Sequence, residues 1–237
     1  LSGPPLFASD GFQKLNGLAY DSKQSIYVVD GKAGEVRRYL PGFQKDPDWN
    51  FQKLTPGNIP VIARSEGIAL DEKSGTLFVT DEWNGIIHAF DIASGKWTGK
   101  SVGRQFDALS GKVAGQSVFQ LSVEGLAVMD DYLLAIDEGT EKSFGHLLIF
   151  YLRSPALYRT GLEECRSRQK ENIPGGLAGW MGHYRSPDGV AVFPGDGKTG
   201  AMLAVADQGS YLIFVYLWKD ILNAFHKLKN ESKAQIR

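Results

Sequence analysis

Short apolar runs separated by turn residues recur along the whole chain. The runs are rich in Val, Ile, Leu, Tyr and Phe, and pairs such as Asp30-Gly31 and Asp196-Gly197 separate them. Runs of this kind predict β-strands, and the Asp-Gly pairs predict tight turns between them. Some runs, such as residues 133–136 and 203–206, are continuously apolar, which is typical of strands in sheets covered on both faces. The pattern therefore predicts an all-β protein with many short strands.

Four segments of the chain share one longer pattern. Each begins with a polar residue and a glycine, continues through a short strand, a turn and a second strand ending in Asp, and closes with a third strand ending in an aromatic residue. The segments are residues 15–39, 65–90, 123–151 and 187–216, with polar-glycine pairs starting at 16, 66, 124 and 188. Repeats of several short strands each are the signature of a β-propeller.

The length and spacing of the repeats set the expected organisation. We expect a single domain over residues 1–237, since all-β chains of this length are routinely one domain. The four visible repeats predict a four-bladed ring or part of a five- to six-bladed ring, followed by a tail at 220–237. Outer fourth strands are expected near 51–54, 97–102 and 156–158, and loops at 103–120 and 161–185. Residues 5–14 are expected to pair with the last repeat and close the ring.

Composition and charge exclude several classes of function. The chain has 26 Lys and Arg against 27 Asp and Glu, so it lacks the basic excess of a general nucleic-acid binder. It has no apolar run long enough for a transmembrane helix, and its one cysteine, Cys165, excludes an internal disulfide framework. We therefore expect a monomer that binds a small molecule, with neither nucleic acid nor membrane as a partner.

The residue before each repeat glycine carries a side-chain oxygen. These residues are Asn16, Glu66, Glu124 and Asp188. Equivalent positions in propeller blades converge on the central axis, and like charges brought together there must be neutralised by protons or cations. Ca²⁺ suits such a set because it accepts six to eight oxygen ligands in flexible geometry. We predict a calcium site at these residues; the alternative is that each oxygen caps its own turn.

A second set of acidic residues ends the second strands. Its members are Asp30, Asp81, Asp137 and Asp207. Asp at a strand end often caps the following turn through its own side chain, and we favour that role for Asp30 and Asp207. Asp81-Glu82 and Asp137-Glu138 are paired carboxylates, for which ligand or catalytic use and a solvated turn stay open. Asp81 is included among the predicted metal ligands.

The order of these motifs resembles that of calcium-dependent alkaline phytases, a family of β-propeller phosphatases. The resemblance is carried by Tyr27–Tyr39, by Glu66-Gly67 followed by Asp81-Glu82, by Glu124-Gly125, by Ser186–Val190 and by Ala206–Ile221. The family ring has six blades, of which this chain matches the last four. The resemblance implies that Glu66, Glu82, Glu124 and Asp188 bind calcium or lie beside its ligands. It also implies that Glu82 holds the catalytic water and that Lys32 contacts a substrate phosphate.

Three functions are therefore expected as alternatives. The first is Ca²⁺-dependent hydrolysis of a phosphomonoester, either phytate or a smaller organic phosphate, with Arg104 and Arg185 as further candidate phosphate contacts. Bound Ca²⁺ would offset phosphate charge and lower the pKa of a water held by Glu82. The second is hydrolysis of a lactone or ester at one central divalent metal, as in gluconolactonase-like propellers. The third is a propeller that binds a ligand without catalysis. A secreted or periplasmic location is expected.

Overall fold

Antiparallel strands make up almost all of the regular structure. The computed structural model describes residues 11–55, 62, 64–103, 105–106, 113–114, 122–139, 144–154, 157–158, 177–195 and 200–223. The strands are β1 (Leu15–Tyr20), β2 (Ile26–Asp30), β3 (Glu35–Leu40), β4 (Gln44–Lys45), β5 (Ile68–Asp71), β6 (Thr76–Asp81), β7 (Ile86–Asp91), β8 (Trp97–Val102), β9 (Gln105–Phe106), β10 (Val113–Ala114), β11 (Val123–Met129), β12 (Tyr132–Asp137), β13 (Gly145–Tyr151), β14 (Leu177–Tyr184), β15 (Pro187–Phe193), β16 (Met202–Asp207) and β17 (Leu212–Leu217). A helical segment spans 218–223. No helix in the described part of the chain is long and apolar enough to cross a membrane.

Strands that follow one another in the chain form four sheets. The first sheet contains β1–β4, the second β5–β8, the third β11–β14 and the fourth β15–β17, while β9 and β10 form a separate hairpin. Within each sheet the strands pair in chain order. Each sheet contains one of the four sequence repeats, so the prediction of an all-β propeller with four visible repeats is confirmed. We refer to each sheet as a blade.

Three apolar cores join the four blades, one between each consecutive pair. Phe78 and Ile87 of the second blade pack with Leu133 and Leu148 of the third. Equivalent cores join the first blade to the second and the third to the fourth. The second and third blades therefore have both faces covered, which explains why their central strands are continuously apolar.

The first and fourth blades each leave one apolar face exposed. Tyr20 on β1 is 73% exposed, Ile213 on β17 is 71% exposed, and their neighbours Leu18 and Val215 are also exposed. Within the described residues, no strand pairing or extensive contact joins the first blade to the fourth. Over the residues that the structure describes, the four blades therefore form an open arc, and the blade number of a closed ring stays a prediction.

A glycine near the start of each inner strand lets consecutive blades approach closely. A Cβ atom on Gly17, Gly67 or Gly125 would lie 2.9, 2.2 or 2.7 Å from the backbone carbonyl oxygen of Glu66, Glu124 or Asp188, respectively. These oxygens belong to the polar residue of the next blade, so the polar-glycine pair is the step at which one blade contacts the next. A Cβ atom on Gly189 would have Ala206 Cβ, at 3.7 Å, as its nearest neighbour. No carbonyl of a further described blade lies against Gly189, which agrees with an open arc.

The outer strands agree with the sequence prediction in one of three blades. The strand expected at 97–102 is confirmed by β8, but the strand expected at 51–54 is wrong because β4 takes the outer position. Residues 51–54 instead follow the boundary with the second blade. There the Trp49 indole donates to the carbonyl of Ile92 at 2.8 Å, and the Gln52 N–H donates to the carbonyl of Gly95 at 2.9 Å. Trp49 and Phe51 thereby fill the core between the first two blades.

The outer strand of the third blade also differs from the prediction. It is β14, within the connection 161–185 that was expected to be a loop, whereas residues 157–158 form a turn. Two glycines in β14, Gly179 and Gly182, weaken its strand signal because glycine is depleted in strands. The connection 103–120 was also expected to be a loop and contains the β9–β10 hairpin.

The described part of the segment 5–14 contacts its own blade. The backbone N–H groups of Gln13 and Lys14 donate to the Asp30 carboxylate at 2.9 and 3.0 Å. The Arg37 guanidinium lies 4.2 Å above the Phe12 ring. For residues 11–14 the predicted pairing with the last blade is therefore wrong, since these contacts hold them on the first blade. Residues 5–10, and residues 224–237 of the predicted tail, lie outside the described part.

Candidate functional site

One end of the arc collects the predicted site residues. The strand register pairs the start of an inner strand with the Asp that ends the next strand, as in Leu15 with Asp30 and Val123 with Asp137. The starts of the inner strands and the turns after the second strands therefore lie at the same end. The residues found there are Asn16, Lys32, Glu66, Asp81, Glu82, Glu124, Glu138 and Asp188.

Glu124 is the most buried of the four residues that precede the repeat glycines. Its side chain is buried at the start of β11, with 9% of the residue exposed. Burial raises its pKa to about 7, against a hydrogen bond from Ser122 that lowers it, and the charges of Glu82, Glu66 and Glu138 raise it further. A carboxyl group with a pKa near neutrality can both accept and donate a proton at physiological pH.

Glu82 lies in the turn after β6 and is affected by the same charges. Burial raises its pKa, and the negative charges of Glu66 and Glu138 add to that effect, while the positive charges of Arg64 and Lys14 oppose it. The net pKa is above the ordinary value of a glutamate. Glu82 is therefore a half-buried carboxyl group that lies near charges of both signs.

Asp188 completes the set at the start of β15. Partial burial raises its pKa, and the charges of Glu138, Asp207 and Glu66 raise it further. Five carboxyl groups are thus connected by a chain of charge interactions, in which Asp188 is reached through Glu66 and Glu138. We call them the carboxylate cluster: Glu66, Glu82, Glu124, Glu138 and Asp188. Such a concentration of like charge favours the uptake of protons or cations.

Two serine hydroxyl groups contact the carboxylate cluster, and one of them, Ser122, links two of its members. Ser122 Oγ lies 2.8 Å from Glu124 Oε1 and 2.9 Å from Glu138 Oε2, and Ser186 Oγ donates to Glu138 Oε1 at 3.2 Å. Because a hydroxyl group has one proton, Ser122 donates to one carboxylate at a time. A protonated Glu124 can donate to Ser122 while Ser122 donates to Glu138, which fits the raised pKa of Glu124. The sequence analysis missed these links, although each serine stands two residues before a predicted ligand.

Lys14 and Asn16 bring polar groups from the first blade to Glu66. Lys14 Nζ lies 2.8 Å from Glu66 Oε1. The Asn16 amide donates to the same oxygen at 3.3 Å and to the carbonyl of Ser65 at 2.5 Å. Asn16 therefore presents its amide nitrogen to Glu66, and as a calcium ligand its amide group would have to turn over. Its role as a ligand stays a prediction.

Arg64 and Trp83 lie beside Glu82 at the rim of the site. Arg64 Nη1 is 3.7 Å from Glu82 Oε1, and the guanidinium carbon is 4.4 Å from the centroid of the Trp83 ring. The sequence analysis did not single out Arg64. Its only signal is its position directly before the Ser65-Glu66-Gly67 motif.

Two of the aspartates that end the second strands accept hydrogen bonds from the segment that enters the inner strand of the same blade. Asp30 accepts the backbone N–H groups of Gln13 and Lys14, and Asp207 accepts those of Arg185 and Ser186 at 3.1 and 2.8 Å. These bonds join segments 16–22 residues apart. The predicted capping of the following turn is made by other bonds, from the Ala33 N–H to Asp30 at 3.1 Å and from the Ser210 hydroxyl to Asp207 at 2.8 Å. Each anchors the segment entering an inner strand to the turn after the second strand.

Asp81 has different partners from Asp30 and Asp207. Its carboxylate accepts the Asn84 side-chain amide at 2.8 Å and lies 3.3 Å from His88 Nε2. These contacts hold Asp81 within its own blade. Its predicted metal ligation would require it to exchange those partners, and it stays a prediction.

The predicted phosphate contacts are exposed where they are described. Lys32 is exposed in the turn after β2, at the same end of the arc as the carboxylate cluster. Arg185 is exposed just before β15. Arg104 lies outside the described residues.

The carboxylate cluster fits Ca²⁺ in the chemistry of its donors. Its side chains offer only oxygen, which is the ligand type that Ca²⁺ prefers, and bound cations would relieve the charge repulsion that adds to burial in raising the pKa of Glu124. Among the described His, Cys, Asp and Glu side chains, however, no three are positioned to share one ion. Ligation by Glu66, Glu124 and Asp188 would therefore require their side chains to rotate.

Comparisons with known proteins identify relatives by structure alone. No family model and no curated protein matches the sequence. An auxiliary nutrient binding protein from Bacteroides ovatus matches with a TM-score of 0.50 and 11% identity, over 89% of this chain and 46% of that one. A gluconolactonase from Xanthomonas campestris matches with a TM-score of 0.49 and 14% identity, over 86% of this chain and 58% of that one. A WD40 β-propeller domain matches with a TM-score of 0.43 and 11% identity, over 88% and 53%.

The chain has a β-propeller fold. At identities this low, the likeness extends to the fold and not to the chemistry of a site. None of these three structures is a phytase. The chain spans about half the length of the structures that it matches.

Proposed function

We propose that this protein is a Ca²⁺-dependent hydrolase of phosphomonoesters. The observation that carries the proposal is the carboxylate cluster, in which five carboxyl groups from three consecutive blades are connected by charge interactions and, for Glu124 and Glu138, by the shared Ser122 hydroxyl. The motif order, which resembles that of calcium-dependent phytases, supports the same reaction and the same cation. The substrate would be phytate or a smaller organic phosphate.

Glu66, Glu124 and Asp188 would hold the cation, with Asn16 and Asp81 as further candidates. When bound, Ca²⁺ offsets the charge of a phosphate and makes a nearby water more acidic. The residues also fit the order of the blades, since each of the first three stands at or just before the start of a successive inner strand. Glu138 would orient Glu124 through Ser122.

Glu82 would act as the general base in this reaction. It is half-buried in the turn after β6, and its raised pKa brings it closer to the working range of a base near neutral pH. It would take a proton from the attacking water. Lys32, Lys14 and Arg64 supply positive charge at the same end of the arc, which the cluster requires if it is to admit a negatively charged substrate.

The test is release of orthophosphate from a panel of phosphomonoesters, measured with added Ca²⁺ and with a chelator. Glu82→Gln should keep the fold and lower kcat by about 10²–10⁴-fold, the usual contribution of a general base. Glu72→Gln is a matched control, because Glu72 is exposed at the opposite end of the arc, where it binds Ser22. Wild-type protein without calcium-dependent hydrolysis of any phosphomonoester would contradict the proposal. So would a Glu82→Gln variant with the wild-type rate.

A second candidate is hydrolysis of a lactone or ester at a single metal. The observation that favours it is the strongly negative surrounding of Glu124, which repels a phosphate dianion and leaves an uncharged lactone unaffected. Lactones assayed in parallel with the phosphomonoesters separate the two candidates. Turnover of lactones alone, with one bound metal per chain, would establish the second.

A further inference from the structure

Arg64 is held in an unusual position at the rim of the candidate site. Its guanidinium carbon lies 4.4 Å from the centroid of the Trp83 ring. Trp83 is 66% exposed, and the Arg64 side chain is 53% exposed. A large exposed indole has no packing reason to face solvent, but its ring attracts and orients a cation placed over it. Arg64 is therefore an ordered positive charge in contact with solvent.

The remaining donors of Arg64 are available to a ligand. Among the described residues, its charged partner is Glu82, and the separation of 3.7 Å is longer than a hydrogen bond. Lys14, the other cation that acts on Glu82, is already bonded to Glu66 at 2.8 Å. Arg64 thus has more unused donor capacity than Lys14 and lies next to the proposed general base.

Arg64 also lies where a positive charge is required if a phosphate group is to approach the carboxylate cluster. A phosphate group that approaches Glu82 meets the negative charges of Glu66 and Glu138, so a nearby cation must compensate. The planar guanidinium presents paired N–H donors that match two oxygens of one phosphate, whereas the lysine ammonium acts as a point charge. The contact with Trp83, 4.4 Å from the guanidinium carbon, restricts the position of that fork before the ligand arrives.

We infer that Arg64, oriented by Trp83, is the residue that binds the phosphate group of the substrate beside Glu82. Arg64 is the binding residue in this assignment, and Trp83 is a positioning residue that acts through it. The inference rests on the proposed function for the class of substrate. It adds to the phosphate contacts expected from sequence, Lys32, Arg104 and Arg185, a residue that the sequence did not indicate.

The probe for this inference is inorganic phosphate, titrated into the whole chain by calorimetry with and without Ca²⁺. Arg64→Ala should weaken phosphate binding about tenfold or more, the loss expected for charge-assisted hydrogen bonds. Arg64→Lys keeps the charge without the fork and should bind with intermediate affinity. Trp83→Leu should weaken binding to a smaller degree, and raising the salt concentration should reduce the difference between the variants.

Lys100→Ala is the matched control, because Lys100, on strand β8 of the same blade, also contacts an aromatic ring: its Nζ lies 5.1 Å from the centroid of the Tyr158 ring. It should bind phosphate as the wild type does. Wild-type affinity in Arg64→Ala, or no phosphate binding by the wild-type protein, would overturn the inference.

The failure of this inference and the failure of the proposed function give different results. If phosphate binds through Arg64 while no phosphomonoester is hydrolysed, the proposed function is wrong and the assignment of Arg64 stands. If hydrolysis occurs and Arg64→Ala leaves both the KM and the phosphate affinity unchanged, the assignment is wrong and the proposed function stands.

Discussion

The step between the second and third blades provides a test of how the arc is built. Gly67→Ala would place a Cβ atom 2.2 Å from the backbone carbonyl oxygen of Glu124 and 3.0 Å from Leu126 Cγ. A backbone oxygen cannot rotate out of the way as the end of a side chain can. One of the two inner strands would therefore have to move by about 1 Å or more to restore normal contact distances.

The cost of that movement follows from the contacts that surround it. Overpacking of this kind costs about 1–3 kcal/mol. The step also carries two hydrogen bonds that the movement would strain, from the Thr80 N–H to the Gly67 carbonyl at 3.0 Å and from the Gly67 N–H to Thr80 Oγ1 at 2.9 Å. In a chain of this length 1 kcal/mol corresponds to about 2–4 °C in Tm, so we expect Gly67→Ala to lower Tm by about 5–10 °C.

The four repeat glycines form a graded series for the measurement. Thermal and urea unfolding of the four Gly→Ala variants should rank Gly67 as the most sensitive, followed by Gly125 at 2.7 Å and Gly17 at 2.9 Å. Gly189→Ala is the matched control, because the new Cβ atom would have Ala206 at 3.7 Å as its nearest neighbour. The Gly189→Ala substitution lowers the entropy of the unfolded chain as the other three substitutions do, so its effect on stability should be neutral or slightly favourable. Wild-type stability in Gly67→Ala would refute the close approach, and a large loss in Gly189→Ala would refute the open arc.

Three other predictions concern charge. The pKa of Glu124 is raised to about 7 in the folded protein. Protonated Glu124 therefore stabilises the folded state fully below about pH 4.5, and this contribution is lost as the pH rises through 7. In the presence of a chelator, the free energy of unfolding of the wild-type protein should fall by about 2 kcal/mol relative to that of Glu124→Gln between these pH limits, after allowance for solvent screening. A difference between the two proteins that does not change with pH in urea unfolding would contradict this. Ca²⁺ should raise Tm more at pH 8 than at pH 5, since carboxylate ligands must be deprotonated; equal shifts in a thermal melt would exclude such ligands. Burial raises the pKa of Asp71, but Arg153, at 2.9 and 3.2 Å from its two oxygens, together with Ser74, holds it below its ordinary value. Arg153→Met should therefore lower the free energy of unfolding by about 2–3 kcal/mol at pH 7, and by less as the pH falls below about 3.8. A loss that stays the same at low pH in urea unfolding would argue against the Arg153–Asp71 ion pair.

The strands that sequence could predict are those buried between blades. Residues 133–136 and 203–206 are apolar throughout and lie in β12 and β16. Strand β12 contributes to the cores on both sides of its blade, whereas in the described residues β16 contributes Leu203 and Val205 to the core with the third blade alone. Strand β4 could not be predicted, since it consists of Gln44 and Lys45 and has no apolar run. It exists because its backbone pairs with Tyr39 and Leu40, and a strand fixed only by backbone pairing leaves little trace in composition.

The same distinction applies to the candidate site. The positions of Glu66 and Glu124 were predictable because each stands before a repeat glycine. The link from Lys14 to Glu66 joins residues 52 positions apart, and such a contact depends on how consecutive blades stack. The greater burial of Glu124 and its bridge to Glu138 through Ser122 depend on the same stacking.

The polar-glycine pair connects the construction of the fold with the chemistry of the site. The glycine is required because the carbonyl of the next polar residue lies against it, at 2.2 Å from the Cβ position in the case of Gly67 and Glu124. The contact that stacks two blades therefore also sets the polar residue of one blade beside that of the next. When those residues are glutamates, close stacking increases both their burial and their charge repulsion, and burial first, with repulsion adding to it, raises the pKa of Glu124. A bound cation would reduce that repulsion at the contact between the blades, so cation binding and the stability of the arc should be thermodynamically coupled.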